Sequence, residues 1–318
     1  MGEKRIGEGG FADAFLAPGV GSNKRLDRIE GLFDWRRFEQ LLKPVRSEMG
    51  RKGYPALALF KALLLQQWYG LSDPGLEEAL GDRLSFRRFC GFSLADATPD
   101  ETTFVRFRQA LSERGLADKL LTESNWQLEV RGLILKTGTL IDASLVEASV
   151  ARPSGTAGAG SELDPDANWT RRGREGHFGY KAHVAVDQGS GLIRAGDLTP
   201  AKTYESEVAD DLIQGDEGAV YADKAYEQKA RRQRLKAAGI KDRIMHRANK
   251  HHPVLPHWHQ VRNRLIAPIR AQVERLFGTM KRCYGYRRVR YRGLERNRSH
   301  FHLLCIAINL RRAEVLTS

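Results

Sequence analysis

Cysteine is scarce in this sequence: Cys90, Cys283 and Cys305 are far apart and form no CxxC pair. Three cysteines cannot all be bridged within one chain, so a disulfide framework and a cysteine-built zinc site are excluded, which fits a reducing cytosol. Long apolar runs are lacking as well. No stretch approaches the roughly 20 apolar residues that span a bilayer. The opening MGEKRIGEGGFADAF shows no basic segment leading into an apolar run, so a soluble, unexported, cytoplasmic chain is expected. Internal repeats and long low-complexity tracts are absent too. Negative charge is missing from one long stretch: Lys229 to Arg298 holds 21 Lys or Arg against Asp242, Glu274 and Glu295. That segment carries +18 in a chain whose total is +13, leaving −5 elsewhere. So lopsided a distribution points to a polyanionic partner. Arg supplies 16 of the 21, which suits bidentate contact with phosphate.

What is present divides the 318 residues into three expected parts. Residues 1–30 are Gly-rich and read as an arm. Residues 31–132 read as an all-helical domain. In it PALALFKALLLQQWYG is apolar nearly all round, with Gly70 as its stop, and Thr98-Pro99-x-Glu101 forms a capping box. Residues 133–318 change rhythm: TLIDAS, GYKAHVAVD, LIRAGDLTP, AVYADKAY and KDRIMH read as strands, with helices at about 206–213 and 228–238. A loop at about 150–178 separates the first two strands, and loops of that length are usually functional. In RNRLIAPIRAQVERLFGTMKR, the residues Ile269, Val273, Leu276 and Met280 mark one helical face. Arg270, Glu274 and Lys281 form a polar stripe beside it, and Pro268 is expected in the first turn. The predicted fold class is α/β, a mixed sheet flanked by helices in the order β-β-β-α-β-α-β-α, with a helical N-terminal domain.

A carboxylate at the end of an apolar strand is costly unless it is paired or holds a metal. Asp142 and Asp223 occupy such positions, and Glu274 lies on a helix expected against the same sheet. Hard oxygen ligands of this kind suit Mg²⁺ or Mn²⁺. Two such ions about 3.5–4 Å apart stabilise both the attacking and the leaving oxygen of a displacement at phosphorus. Plainer readings stand beside this one: Asp142 as a strand-end cap, Asp223 paired with Lys224, and Glu274 paired with Arg270 one turn earlier. The joint placement of the three favours a metal-dependent nucleic-acid enzyme.

The strand and helix order, with Asp142 in TLIDAS, Asp223 in YADKAY and Arg270-x3-Glu274-x6-Lys281, resembles the ribonuclease-H-like core of DDE transposases. In detail it is similar to the insertion-sequence-five family of bacterial elements, although Ala267 stands where that family carries Tyr. The resemblance implies a DNA transposase that nicks element ends and joins the freed 3′-hydroxyl to target DNA. It makes Asp142, Asp223 and Glu274 both catalytic and metal-binding, with two Mg²⁺ or Mn²⁺ ions. Lys281 would contact a phosphate near the cut, and Arg270 would steady Glu274 or a phosphate. It further implies double-stranded DNA as partner, homo-oligomeric assembly on DNA and association with the nucleoid. A ribonuclease-H-like nuclease without strand transfer, and a non-catalytic transposase-derived DNA-binding protein, are the alternatives.

Other residues carry weaker signals. LSDPGLEEALGDRLSFRRFCGF has helix-turn-helix character, with Ser72 as a cap and Arg87 and Arg88 projecting toward DNA, whereas Trp68, Phe86 and Phe89 read as core. The histidines between His246 and His259 read as a DNA-facing or solvated loop. His183 reads either as structural or as a neighbour of the active site. Glu147 and Asp210 are further acids near it.

Overall fold

The computed structural model describes residues 3–17, 19–45, 53–153, 160–248 and 253–318. The chain divides into two compact units: Met1–Gln127 with His302–Ser318, and Leu128–Phe301.

The first unit is helical: α1 (Phe11–Ala14), α2 (Lys24–Leu32), α3 (Trp35–Leu42), α4 (Ala56–Tyr69), α5 (Asp73–Asp82), α6 (Leu84–Cys90), α7 (Glu101–Glu113) and the start of α8 (Leu116–Val130). Its centre is α4, buried on every side from Ala58 to Gln67 and stopped at Gly70, whose φ of 62° few other residues tolerate. Ser72 caps α5 as expected, accepting from the Gly75 N–H at 3.1 Å. The cap of α7 is Asp100 rather than Thr98. Its carboxylate accepts from Thr103 N–H at 2.7 Å, so Pro99 precedes the helix instead of opening it. Order also begins earlier than an arm of thirty residues would allow. Asn23 caps α2, which buries Leu26, Ile29 and Leu32, and the Gly7 N–H donates to Asp96 at 2.7 Å.

The second unit holds β1 (Thr139–Glu147), β2 (Asn168–Arg172), β3 (Glu175–Asp187), β4 (Ile193–Pro200), α9 (Glu205–Leu212), β5 (Ala219–Ala222), α10 (Lys229–Ala237), β6 (Lys241–Ile244), α11 (His257–Cys283) and the start of α12 (Leu294–Leu316). The sheet runs β2-β3-β1-β5-β6, with β4 on β3. β1 is antiparallel to β3 but parallel to β5, and β5 is parallel to β6, giving the mixed sheet flanked by helices that the pattern predicts. One face packs Ile141, Ala185, Val220 and Ala222 against Val208, Leu212, Tyr226 and Leu235 of the α9 and α10 layer. Gly179 is required where β2, β3 and β1 meet: its φ is 153°, and a Cβ there would lie 2.3 Å from the Val146 carbonyl oxygen.

Four expectations change here. The loop after β1 contains β2, paired with the start of β3, and Tyr180 ties Asp164 down by a 2.6 Å hydrogen bond. The strand read through Tyr226 ends at Ala222, because Asp223 caps a 3₁₀ turn over Lys224–Tyr226. Pro268 lies well inside α11 rather than in its first turn. The earlier half of that helix is anchored by Asn263, which exchanges hydrogen bonds with the His246 backbone at 2.9 and 3.0 Å. Residues from His302 onward count with the helical unit, where Asn309 donates to Asn125 at 2.9 Å and Arg28 to Glu314 at 3.0 Å. Among the described residues, no helix is long and apolar enough to cross a membrane.

Candidate active site

Parallel pairing of β1 with β5 sets Leu140 beside Tyr221 and Ile141 beside Ala222. Asp142 is the next residue of β1, so alternation turns it away from the α9 and α10 layer and toward α11, and Asp223 is the first residue past the end of β5. Asp142 accepts the Ala143 N–H at 2.9 Å, and Arg270 of α11 reaches it at 3.2 Å. Burial pushes the Asp142 carboxyl up to about 6, despite Arg270 and the Ala143 bond, and the charges of Glu205 and Asp223 add to the rise. Asp223 uses one oxygen to accept the Lys224 N–H at the head of the 3₁₀ turn. Two adjacent carboxylates, one of them held with a raised proton affinity, form a hard-oxygen donor set that suits a small divalent cation.

Glu274 is not gathered with this pair. It is exposed on α11 and makes no hydrogen bond or ion pair with the described residues. Arg270 belongs to the buried face of the helix, with Ile266, Val273, Phe277 and Met280, and its ion pair goes to Asp142 rather than to Glu274. It therefore lies within the buried face itself rather than in the polar stripe expected beside it. Among the described residues, no three His, Cys, Asp or Glu side chains are grouped to hold one metal ion. Lys281 is half-buried in the last turn of α11.

Arg87 does not project toward a partner. It is buried, and its guanidinium donates to the carbonyls of Leu80, Ser93, Leu94 and Asp96. Arg88 is exposed, 3.9 Å from Asp27. Phe86 and Phe89 are buried, and the Trp68 indole donates to the Ala307 carbonyl. His183 is fully buried against Thr199 at 2.9 Å, and desolvation lowers its pKa to about 3, the behaviour of a structural neutral histidine. Glu147 pairs with Arg152 and Arg288, and Asp210 with Arg231 and Arg234, which occupies both with other partners. His246 stacks on His259 with ring centroids 3.8 Å apart and meets Glu227 at 3.0 Å, whereas His251 and His252 lie outside the described residues.

The basic segment is partly internal. Arg231 is buried, Arg232 and Arg262 converge on Asp242, and Arg298 pairs with Asp197. Arg264, Arg275 and Arg282 remain exposed along α11, the helix of Glu274. Two groups escaped the sequence reading, Glu205 and Tyr226. An acid in a first helical turn is too common to signal anything, and a Tyr three residues after Asp223 reads as core.

Residues 134–310 match the family described as Transposase DDE domain, and residues 16–110 match Transposase domain (DUF772). Among solved structures, a piggyBac transposase in a synaptic complex with hairpin DNA is similar at 11% identity and a TM-score of 0.44, over 94% of this chain and 74% of that one. The first family match covers more than half of the chain and takes in Asp142, Asp223 and the whole of α11, and the chain belongs to the transposase DDE-domain family.

Proposed function

We propose that this chain cuts DNA at the ends of a bacterial insertion element of the insertion-sequence-five kind and joins the freed 3′-hydroxyl to target DNA. The observation that carries the proposal is the pair Asp142 and Asp223, brought beside each other by the pairing of β1 with β5 within a chain of the DDE transposase family. Asp142, Asp223 and Glu274 form the Asp/Asp/Glu set. Mg²⁺ or Mn²⁺ bound there would polarise the phosphate and lower the pKa of water. Asp142 supplies a partly buried carboxylate on the sheet, Asp223 supplies a second from just past the end of β5, and Glu274 approaches from α11 when the helix closes on DNA. Arg270 holds the Asp142 charge in the metal-free chain.

Exposed Arg264, Arg275 and Arg282 give the Glu274 helix a phosphate-binding surface, and Lys281 contacts a phosphate near the cut. Arg88, not Arg87, is the cation of α6 available to DNA. Two element ends need at least two active sites, so the chain works as a homo-oligomer assembled on DNA at the nucleoid.

The test is strand transfer with labelled element ends in Mg²⁺ or Mn²⁺, comparing wild type with Asp142→Asn, Asp223→Asn and Glu274→Gln. Joined product that disappears in all three while DNA binding persists supports the reading. Cleavage without joining in the wild type would replace it with a ribonuclease-H-like nuclease, and full activity in the variants would dismiss these carboxylates.

A further inference from the structure

β3 starts beyond the end of β1. From Gly179 onward it pairs with β1, whereas Glu175, Gly176 and His177 pair with β2 alone. A two-stranded ribbon therefore runs on past β1 and turns back at Gly173 and Arg174. A hairpin of this kind is marginal in water by itself, so an ordered one needs support at its base. Trp169 supplies part of it, with its ring centroid 5.5 Å from that of Phe178 and a ring atom 3.3 Å from where a Cβ on Gly176 would lie. The Ala148 N–H donates to the Phe178 carbonyl at 3.0 Å, and the buried Tyr180 hydroxyl holds Asp164, just ahead of β2, at 2.6 Å.

The tip of the ribbon is basic: TRRGREGH, residues 170–177, carries three arginines against Glu175. Arg171 and Arg174 are exposed, and their guanidinium groups make no hydrogen bond or ion pair with the described residues. A second basic strip, RRVRYR at 287–292, lies against the same base, with all four of its arginines exposed. It follows the edge of β1 opposite β3: the Glu147 N–H donates to the Arg287 carbonyl at 2.9 Å, and the Val289 N–H to the Glu147 carbonyl at 2.8 Å. The next two amides, Gly293 and Leu294, donate to Asp164 at 3.1 Å and Asp166 at 2.8 Å, in the turn that leads into β2. Strip and ribbon are thus tied together on one end of the sheet. Strand residues rise about 3.3 Å each, so the steps from Asp142 to Glu147 and from its partner Gly179 to Arg174 put the tip about 30 Å beyond Asp142. That is close to one turn of duplex DNA, about 34 Å, and the major groove, about 12 Å wide, admits a two-stranded ribbon.

We propose that the β2–β3 ribbon lies in the major groove of duplex DNA about one turn from the cut, with Arg171 and Arg174 on the flanking phosphates. The strip at 287–292 then follows the DNA backbone between the tip and the carboxylates. The inference rests on reading the chain as a DNA-cutting transposase. It gives the catalytic unit a grip on the duplex separate from α11, so the phosphate presented to Asp142 is positioned by a contact a full turn away.

Binding of labelled element ends to the full-length chain, measured over a series of salt concentrations, tests this. Two duplexes are compared, one ending half a turn from the cut and one extending a turn and a half beyond it. On the longer duplex the double variant Arg171→Ala, Arg174→Ala should bind about tenfold more weakly than wild type, and the slope of log affinity against log salt should fall by about 2. On the shorter duplex variant and wild type should agree. The double variant Arg171→Lys, Arg174→Lys keeps the charge and should keep the slope, and both variants should melt like wild type because the side chains are exposed. Wild-type affinity and slope for the alanine variant on the longer duplex would overturn this inference, while strand transfer by the wild type would leave the proposed function standing. An equal loss on both duplexes would overturn the placement of the ribbon a turn away. A wild-type chain that binds neither duplex would remove both readings.

Discussion

Arg270 and Asp142 meet at 3.2 Å, one from the buried face of α11 and the other from the middle of β1. Both side chains are largely withdrawn from water, so each is the other's main compensation for lost hydration. Arg270→Ala should therefore cost the metal-free chain about 3 kcal/mol by leaving a largely buried carboxylate without its cation. It should also remove a cation that competes with the divalent ion, so Mn²⁺ should restore more stability to the variant than it adds to wild type. Urea unfolding with EDTA and with Mn²⁺ measures both effects. An equal deficit in the two conditions would show that Arg270 and the ion do not share Asp142.

The raised proton affinity of Asp142 sets a pH dependence of known sign. With a value of about 6 in the fold against 3.8 for the ordinary side chain, the folded chain binds this proton more tightly than the unfolded one. The contribution to stability is largest in acid. It falls as pH rises through about 4 to 6 and is flat above, a total loss of about 2–3 kcal/mol. Asp142→Asn lacks this titration, so the stability difference between wild type and variant in EDTA should shift by that amount in the variant's favour between about pH 4 and pH 7. A difference independent of pH would place the titration elsewhere.

Gly179 sits where an added methyl would collide with backbone on β1, at a φ that side chains rarely adopt. Gly179→Ala should destabilise the second unit by about 2–4 kcal/mol, since neither the strain nor the contact can relax without parting β1 from β3. Hydrogen exchange of the β1 and β3 amides would localise the damage. Unchanged protection there would contradict the steric account.

Neighbouring arginines on α6 should separate stability from recognition. Arg87→Ala leaves carbonyls at Leu80, Ser93, Leu94 and Asp96 without their donor and should cost about 2–4 kcal/mol. Arg88→Ala should change stability by less than about 0.5 kcal/mol while weakening DNA binding and its salt dependence. Thermal melts beside binding titrations at two salt concentrations decide the matter. A reversed pattern would restore Arg87 as the DNA contact.

Much of this architecture is legible in the order of residues because periodicity and burial agree. GYKAHVAVD alternates as a strand does, α4 is apolar all round and buried all round, and Asp142 and Asp223 stand out as acids ending apolar runs. What stayed hidden depends on partners far away in the chain. The destination of Arg87 is set by carbonyls in the turn after α6, and that of Arg270 by a strand laid down long before it. β2 escaped because it borrows its pairing from β3, with little apolar alternation of its own. The earlier half of α11 escaped because Pro268 reads as a start, although Asn263 and the His246 backbone hold the preceding turns in place.

The two strand acids are brought together by the parallel pairing of β1 and β5, across a length of chain that includes β2, β3, β4 and α9. Such a pairing closes a large loop, whose entropy must be offset by the contacts it makes. The acid pair is therefore a property of the assembled sheet and of no contiguous segment: a backbone cut anywhere between β1 and β5 would leave one acid on each fragment, and only sheet pairing could bring them back together.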